Sequence, residues 1–537
     1  MRIALAQINP TLGDFKSNAD KIIEFIKRAH EKRAHVVVFS EMVLFGYPAT
    51  DCIENADVVA KQEVQLQRII KNIPLKITAV FGAVIKNKSK MGKPFSNVAV
   101  IARKGKKLKF FAKQLLPTYD VFDETRFFEP GDDTGIIKIE GIGKLAISVC
   151  EDMWTDFPGG PVSYYKNDPM KKIKDVDLII NISASPFSKN KMQKRLETAR
   201  KHVRKIKAPF VYVNQVGGQD ELIFDGRSFI LDEKGKEIVR AASCEEDLVM
   251  VDLASKRFEH RPQDESPIEI MRKALVLGIR DFINKTGQKK IHLGLSGGID
   301  SALAAALAID AVGPGNVTGI LLPGPYSSKG SIDDSLTLAK NLKIKTETIS
   351  IVSMYETSKQ TMKYFSGDQA ARTAFDQNLQ ARLRCVVLMA YSNVQSSMLL
   401  GTSNKSEIAS GYSTLYGDLI GGLNPLGDLL KAEVYALAKH YNLGREIIPK
   451  EILDKAPSAE LAPDQHDQES LPPYDELDKA VVKLVELKKS PSNKTENWLA
   501  DKLISNEFKR WQSPPILRVS EHAFGRGRRK PIAFKNN

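Results

Sequence analysis

A turn rich in glycine and serine, in the second half of the chain, has the residue types needed to hold a phosphate chain. Between an apolar run and an alanine-rich run it reads Gly294, Leu295, Ser296, Gly297, Gly298, Ile299, Asp300, Ser301. Amides at a helix N-terminus point at an anion in such a turn, and glycines let the backbone approach a pyrophosphate closely. A glycine pair can also make a plain turn, but two hydroxyls for phosphate and the Asp300 carboxylate for Mg²⁺ favour a nucleotide site.

The turn differs from the two common glycine-rich nucleotide motifs. The chain has no G-x-x-x-x-G-K-[ST] and no G-x-G-x-x-G, which weakens both a P-loop NTPase and a conventional dinucleotide site. Its pattern S-G-G-x-D-S resembles the signature of the ATP pyrophosphatase family, which cleaves ATP between the α and β phosphates and adenylylates a substrate. The resemblance implies AMP and pyrophosphate as products.

Three residues in the first half of the chain, Glu41, Lys113 and Cys150, each follow an apolar run that we interpret as a buried strand. Strand ends converge on one rim of an α/β layer, where such folds place their chemistry. Cleaving an amide with a thiol requires a base to form the thiolate and a donor for the oxyanion. A lone cysteine after a strand is more often buried filler, so the catalytic interpretation depends on all three residues together.

The segments around these residues resemble the nitrilase, or carbon-nitrogen hydrolase, family. The matching segments are residues 41–48, 111–117, 119–128 and 149–154. The resemblance implies Glu41 as general base, Lys113 as oxyanion stabiliser and Cys150 as nucleophile. Resemblance to the glutaminase branch also implies that Tyr119, Ser185 and Lys191 bind glutamine, although Lys191 begins a predicted helix whose basic face could simply be solvated.

Further segments of the second half resemble NAD synthetases. They are residues 378–384, 401–407, 411–418, 457–461 and 467–474. The resemblance implies Asp300 and Glu407 as Mg²⁺ ligands, Thr402 as an ATP contact, and Asn378, Glu407 and Lys509 as contacts of deamido-NAD. Two positions depart from the family pattern, because Ser403 stands where some relatives have glycine and Gly324 where relatives often have serine.

Together the two resemblances imply a glutamine-dependent NAD synthetase, in which ammonia released from L-glutamine amidates deamido-NAD at the expense of ATP. Glutamate, AMP and pyrophosphate would be the other products, and Mg²⁺ the metal cofactor. Members of the family assemble through the synthetase domain, so the resemblance also implies a homo-oligomer.

The order of predicted elements is that of an α/β protein with two domains. Predicted strands at residues 36–39, 144–149 and 210–213 alternate with helices in the first half. A polar, proline-bounded stretch follows, and then a new strand–helix alternation typical of doubly wound sheets. We predict a nitrilase-like α/β/β/α sandwich at residues 1–254, a linker at 255–267, and a Rossmann-like ATP pyrophosphatase domain with a doubly wound parallel sheet at 268–537.

Composition is consistent with a cytoplasmic, soluble enzyme. The 537 residues include 42% hydrophobic residues, enough for at least two cores, and four scattered cysteines that favour a reducing compartment. No apolar run has the roughly 18 residues of a membrane span, and the start of the chain lacks a signal-peptide core. We therefore expect small-molecule substrates and neither a membrane nor a nucleic acid as partner.

Three alternative functions fit the sequence less well. Other ATP pyrophosphatases, such as GMP synthetase and tRNA-thiolating enzymes, act on different carbonyls, but residues 401–407 and 457–461 argue against them. The net charge of +14 and the basic cluster at 526–530 would suit a nucleic-acid-binding protein, yet no zinc finger, RNP-like pattern or helix-turn-helix accompanies them. A metalloprotease is weaker still, because His30 and His35 miss the H-E-x-x-H spacing by one residue.

Overall fold

The computed structural model describes residues 1–89, 91–154, 165–255, 257–258, 265–463, 465 and 467–533. The chain divides into two compact units, Met1–Gln219 with Ile223–Ser266, and Asp220–Leu222 with Pro267–Asn537. The predicted domain boundaries and linker stay a prediction. Near the linker, Arg257–Phe258 extend a sheet and a helix begins at Pro267. Residues 256 and 259–264 of that linker lie outside the described residues.

The first unit consists of two large sheets and the helices that cover them. Its helices are α1 (Phe15–Glu31), α2 (Ala56–Lys71) and α3 (Lys191–Ile206). Its strands are β1 (Arg2–Gln7), β2 (Val36–Val38), β3 (Thr78–Lys86), β4 (Phe95–Arg103), β5 (Lys109–Ala112), β6 (Ile136–Ile139), β7 (Gly143–Val149), β8 (Leu178–Ser183), β9 (Phe210–Asn214), β10 (Val216–Gln219), β11 (Leu222–Asp225), β12 (Phe229–Leu231), β13 (Glu237–Arg240), β14 (Asp247–Asp252) and β15 (Arg257–Phe258).

These elements form an α/β/β/α sandwich. One sheet has the order β15-β14-β1-β2-β3-β4-β5, the other β13-β12-β9-β8-β7-β6, while β10 and β11 pair separately. Side chains alternate between the two faces of a strand. In β1, Ile3 and Leu5 therefore pack into the core between the sheets, and Ala4 and Ala6 pack under α1 and α2. Helix α3 covers the outer face of the second sheet.

The second unit consists of a small parallel sheet surrounded by helices. Its strands are β16 (Ile291–Gly294), β17 (Val317–Leu321), β18 (Lys345–Thr348) and β19 (Met398–Leu399). Its helices are α4 (Pro267–Lys285), α5 (Ile299–Val312), α6 (Lys329–Leu342), α7 (Val352–Thr361), α8 (Gln369–Gln395), α9 (Lys405–Ser410), α10 (Lys431–Tyr441), α11 (Lys450–Asp454), α12 (Tyr474–Val481), α13 (Lys494–Ser505) and α14 (Glu507–Arg510), and a π-helical turn, Val482–Glu486, follows α12.

The sheet of the second unit is doubly wound. Its order is β18-β17-β16-β19, with every neighbouring pair parallel. Helices α5 and α6 make the crossovers from β16 to β17 and from β17 to β18, and α7 and α8 pack against apolar side chains of β17 and β19. Both predicted fold classes are confirmed. No helix in the described part of the chain has the length and apolarity that a membrane crossing requires.

Candidate active sites

The first site is organised around the ammonium of Lys113, which directly follows β5 and has a side chain only 1% exposed. Its Nζ donates to Glu41 Oε1 at 2.8 Å and to Glu124 Oε1 at 2.7 Å. A buried ammonium is costly unless it is paired. Burial lowers the pKa of Lys113, but the Glu124 and Glu41 carboxylates outweigh that effect and hold the pKa well above its ordinary value. Lys113 therefore stays charged, as its predicted role requires.

Glu41 is held by neighbours on both of its carboxylate oxygens. Besides Lys113, the Asn97 side-chain amide donates to Oε1 at 2.7 Å, and the backbone amide of Ala184 donates to Oε2 at 2.9 Å. Ala184 directly follows β8, so a strand of one sheet orients a carboxylate that follows a strand of the other. The carboxylate has one defined orientation in the interior of the sandwich.

Cys150 occupies a strained turn at the end of β7. Its φ of +44° is in the left-handed region that side chains other than glycine rarely adopt. The Asp152 carboxylate accepts hydrogen bonds from the amides of Val149, Gln114 and Leu115, each at 2.9 Å. Because Gln114 follows Lys113, Asp152 connects the cysteine turn to the segment that carries the lysine.

The surroundings of Cys150 favour a protonated thiol at rest. Burial raises its pKa, the Glu41 carboxylate raises it further, and the Lys113 ammonium opposes them. Cys150 as a whole residue is only 8% exposed. It therefore needs a base beside it to become a nucleophile.

The three predicted glutamine-binding residues have defined partners. Tyr119 donates its hydroxyl to Glu151 Oε1 at 2.9 Å, immediately next to Cys150 in the chain. Ser185 is buried, with its amide donating to Asn214 Oδ1 at 2.8 Å and its carbonyl accepting from Arg195 Nη2 at 2.7 Å. The remaining residue, Lys191, opens α3 and places its ammonium 4.6 Å from the centroid of the Trp154 ring.

The second site is built on the predicted phosphate turn, residues 294–301, which leads from β16 into α5. Gly297 has a φ of +76°, and a Cβ there would lie 2.5 Å from the carbonyl oxygen of Ser331, so the position requires glycine. The hydroxyls of Ser296 and Ser301 are 3.2 Å apart, and the Gly298 amide donates to Ser296 Oγ at 3.3 Å. The turn thus directs hydroxyls and amides into one concave surface.

That surface forms part of a cavity of about 320 Å³. All eight residues of the turn line it, together with Thr402, Glu407, Lys431, Lys455 and Asp467. A mixture of amides, hydroxyls, cations and carboxylates around one cavity suits a phosphate-bearing ligand and its counter-ion.

Asp300 and Glu407, the two predicted metal ligands, share a lysine that the sequence had not indicated. Lys431 Nζ donates to Asp300 Oδ2 at 2.5 Å and to Glu407 Oε1 at 3.5 Å. Asn404 donates to Asp300 Oδ1 at 3.0 Å and caps α9, with Glu407 closing a capping box. Burial raises the pKa of Glu407 to about 8, and the Asp300 carboxylate also raises it, against the effect of Lys431.

The predicted deamido-NAD contacts lie around a loop beside the cavity. Thr414 Oγ1 donates to Asn378 Oδ1 at 2.6 Å, and Lys509 Nζ donates to the carbonyls of Gly411 and Ser413 at 2.8 and 2.7 Å. Glu407 lines the cavity itself, whereas Asn378 and Lys509 are not among its lining residues. The structure thus brings Asn378 and Lys509 to one loop and keeps both outside the cavity wall.

Models of two protein families match the chain in succession. One, described as carbon-nitrogen hydrolase, covers residues 2–263, and the other, described as NAD synthase, covers residues 271–513. A curated glutamine-dependent NAD(+) synthetase from Synechocystis sp. is 40% identical to this chain, over 99% of this chain and 98% of the relative. The chain belongs to the glutamine-dependent NAD(+) synthetase family.

Other members of this family agree in sequence and in structure. The glutamine-dependent NAD(+) synthetase of Thermotoga maritima is 36% identical over 99% of this chain and 98% of its own length. A solved glutamine-dependent NAD+ synthetase from Acinetobacter baumannii, in complex with adenosine diphosphate, has a TM-score of 0.77 and 32% identity over 99% of this chain and 98% of that one. A solved synthetase from Cytophaga hutchinsonii, with a TM-score of 0.82 and 20% identity over 99% and 97%, shows that the fold is shared.

Three polar residues of the two sites in this synthetase were not predicted from the sequence: Glu124, Glu151 and Lys431. Glu124 lies in the segment 119–128 that carried the nitrilase resemblance, and Glu151 directly follows Cys150. Both could have been found as acidic residues in family-like segments. Lys431 is separated from Glu407 by 24 positions and no local pattern connects the two.

The two departures from the family pattern both lie near the cavity. Ser403 is buried and lines the cavity next to Thr402. A Cβ at Gly324 would lie 2.8 Å from Arg384 Nη2, and Arg384 also lines the cavity. A serine at position 324 would therefore require the Arg384 guanidinium to shift.

Proposed function

We propose that this chain makes NAD by amidating deamido-NAD with ammonia released from L-glutamine, at the expense of ATP. AMP, pyrophosphate and glutamate are the other products. The observation that carries the proposal is the presence, in one chain, of a buried Glu41–Lys113 pair beside Cys150 and of a phosphate turn beside two carboxylates. The names of the relatives that match the chain over 99% of its length support it.

In the first reaction Glu41 removes the proton of the Cys150 thiol, and the thiolate attacks the carboxamide carbon of glutamine. Because burial and Glu41 raise the pKa of the thiol, the proton transfer has to be coupled to the attack. Lys113 remains an ammonium beside the oxyanion that forms. Ammonia leaves with the proton that Glu41 carried, and water then hydrolyses the thioester to glutamate.

Glutamine recognition falls to Tyr119, Ser185 and Lys191. The Lys191 ammonium suits the α-carboxylate of the substrate, and Ser185 is held rigidly by Asn214 and Arg195. Tyr119 bonds to Glu151, which adds a carboxylate next to the nucleophile and suits the α-ammonium of an amino acid. We expect these side chains together to bind the polar groups of glutamine.

In the second reaction the carboxylate of deamido-NAD attacks the α-phosphorus of ATP, pyrophosphate leaves, and ammonia then displaces AMP from the adenylate. Residues 294–301 cradle the phosphates with amides and hydroxyls, and Thr402 adds a contact from the cavity wall. Lys431 presents a buried ammonium at the same place, and the surrounding carboxylates keep its pKa raised. A permanent cation there stabilises negative charge on the leaving pyrophosphate.

Asp300 and Glu407 fit a Mg²⁺ ion. Within the described residues no group of three or more histidine, cysteine or acidic side chains could hold a metal alone. Mg²⁺ commonly takes only one or two carboxylates and completes its shell with phosphate oxygens and water. Two carboxylates that both lie within 3.5 Å of Lys431 Nζ beside the phosphate turn match that requirement. When bound, Mg²⁺ supplies charge neutralisation to the pyrophosphate leaving group.

Deamido-NAD would be held by Asn378, Glu407 and Lys509. The bonds from Thr414 to Asn378 and from Lys509 to the carbonyls of Gly411 and Ser413 keep both side chains beside the same loop. On binding, the dinucleotide competes with these contacts for the amide and the ammonium.

The chain would work in the cytoplasm as a homo-oligomer that associates through its second unit. Helix α8 carries apolar side chains that are largely exposed in the single chain, with Val394 78% and Val386 55% accessible. A contiguous exposed apolar patch often marks a protein–protein interaction site. Light scattering of the wild-type chain and of a Val394→Asp variant tests this, and an unchanged monomeric mass for both would refute it.

Product analysis tests the proposed reaction. Deamido-NAD, ATP, Mg²⁺ and amide-¹⁵N glutamine should yield NAD that carries ¹⁵N in its carboxamide, with glutamate, AMP and pyrophosphate in equal amounts. Unlabelled ammonium in place of glutamine should support the same synthesis. Formation of ADP and phosphate, or glutamine hydrolysis with no NAD formed, would contradict the proposal.

A further inference from the structure

Asp478, on α12, connects the two short helices that carry Glu407 and Lys431. It is 6% exposed, and its Oδ1 accepts from Ser406 Oγ at 2.5 Å while its Oδ2 accepts from the Ala432 amide at 2.9 Å. Ser406 precedes Glu407 in α9, and Ala432 follows Lys431 in α10. A single carboxylate is therefore hydrogen-bonded to the immediate chain neighbour of each residue.

The start of α10 depends on this contact. The first amides of a helix have no partner within it, and the residue before α10, Leu430, cannot supply a side-chain acceptor. Instead the Lys431 amide donates to Ser406 Oγ at 3.1 Å and the Ala432 amide donates to Asp478. The helix is thus capped by α9 and α12, and a negative charge at its N-terminus also favours the helix dipole.

Lys431 connects the first turn of α10 to the cavity. Its ammonium contacts Asp300 and Glu407, on α5 and α9, so the position of the first turn of α10 decides whether one lysine can reach both. Apolar packing of α9 and α12, through Ile408 and Leu477, leaves the approach of the helices adjustable, because such contacts have no direction. Hydrogen bonds through Ser406 and Asp478 are directional and set the register.

We infer that Asp478, acting with Ser406, is a positioning residue that sets the distance between Glu407 and Lys431 and thereby the affinity of the cavity for Mg²⁺-bound ATP. The inference concerns residues that do not line the cavity. The identity of the nucleotide rests on the proposed function. The linkage of α9, α10 and α12 rests only on the hydrogen bonds of Ser406 and Asp478.

The test compares Asp478→Asn and Ser406→Ala with a matched control, Glu496→Gln. Glu496 is a similarly buried carboxylate, 8% exposed, that accepts from the Ser492 amide and from Lys483 Nζ within the same unit. For each variant we would measure the Kd of ATP with Mg²⁺ by calorimetry, kcat and KM for ATP in the ammonia-supported reaction, glutamine hydrolysis, and the Tm.

Asp478→Asn should raise the Kd and KM of ATP and lower kcat, each by about tenfold, which corresponds to about 1.4 kcal/mol. Ser406→Ala should shift them in the same direction, and the double variant should lose less than the sum of the two because both act through one linkage. Glutamine hydrolysis should keep the wild-type rate in all of them. Glu496→Gln should lower the Tm and leave the Kd, KM and kcat at wild-type values.

The inference fails if Asp478→Asn and Ser406→Ala lower only the Tm, or if Glu496→Gln changes ATP binding as much as they do. Should Asp478→Asn not fold, Ser406→Ala, which keeps the carboxylate, decides the matter alone, with Ser406→Thr expected to restore ATP affinity. If the wild-type chain binds ATP but makes no NAD, the proposed function is wrong. The linkage can still be tested through the Kd of ATP.

Discussion

The ammonium nitrogen of Lys431 lies 2.5 Å from Asp300 Oδ2, although 131 positions separate the two residues in the chain. Asp300 is in the first turn of α5 and Lys431 is the first residue of α10. The same nitrogen is 3.5 Å from Glu407 Oε1. One cation therefore offsets two carboxylates that would otherwise repel each other beside the nucleotide cavity.

Lys431→Met should lower kcat/KM for ATP in the ammonia-supported reaction by about a hundredfold, because it removes the cation proposed to stabilise negative charge on the leaving pyrophosphate. The variant leaves Asp300 and Glu407 facing each other without their cation. Lys439→Met, an exposed position on the same helix, is the control and should keep the wild-type value. Equal kcat/KM in Lys431→Met and wild type would show that the ammonium has no part in the reaction.

Cys150→Ala should abolish NAD formation from glutamine, by about a thousandfold or more, and preserve formation from free ammonia. The second reaction needs only a nitrogen nucleophile, so the loss of the thiol removes the donor alone. Glu41→Gln and Lys113→Ala should behave alike, since members of one catalytic group are not additive. Cys244→Ala, which removes another buried thiol, is the control. Equal loss with both nitrogen donors would contradict two separate sites.

Asp152→Asn should slow glutamine hydrolysis by about tenfold, since the loss of a charged acceptor costs roughly 1.5–3 kcal/mol and here holds the cysteine turn. Three amides, of Val149, Gln114 and Leu115, depend on that carboxylate. The rate with free ammonia should stay at the wild-type value. A variant that hydrolyses glutamine at the wild-type rate would show that the turn holds without the charge.

Asp152 should also change how stability depends on pH. Burial raises its pKa from 3.8 to about 6. Between pH 3.8 and about 6, Asp152 keeps its proton in the folded chain and loses it in the unfolded chain. Its contribution to the free energy of unfolding is therefore complete below pH 3.8 and is lost as the pH rises to about 6. The Tm of wild type minus that of Asp152→Asn should therefore fall across this window and level off above it. A difference that stays constant across the window would refute the shift.

Gly297→Ala should abolish ATP-dependent synthesis, because the new Cβ would lie 2.5 Å from the Ser331 carbonyl. Gly287→Ala is a matched control, since its φ of +74° is close to the +76° of Gly297 but nothing lies within 4 Å of its Cβ. Both variants carry the strain of a left-handed alanine, about 1 kcal/mol, and only Gly297→Ala adds the clash. ATP titration of the two variants separates strain from obstruction, and similar ATP affinities would show that the turn can rearrange.

The sequence by itself determined the parts of each site that are contiguous in the chain. Residues 294–301 were predicted as a phosphate turn because their glycines, hydroxyls and carboxylate are within one strand–turn–helix unit, whose backbone follows from local preferences. Glu41, Lys113 and Cys150 were predicted from the resemblance to the nitrilase family and from the apolar run that each follows, and strands do end at Val38, Ala112 and Val149. Because β2 and β5 belong to one sheet and β7 to the other, only the packing of the two sheets against each other brings the three residues to one site.

Only the tertiary structure decided which distant side chains complete the sites. Glu124 reaches Lys113 from a turn after β5, Lys431 reaches Asp300 across 131 positions, and Asp478 connects α9 to α10 from a third helix. A pattern of apolar residues predicts which face of a helix is buried, but not the neighbour it meets or the rotation at which they pack. The neighbour and the rotation follow from the packing and hydrogen bonding of the whole unit. Moving a charged group by one helical turn would give it a different partner.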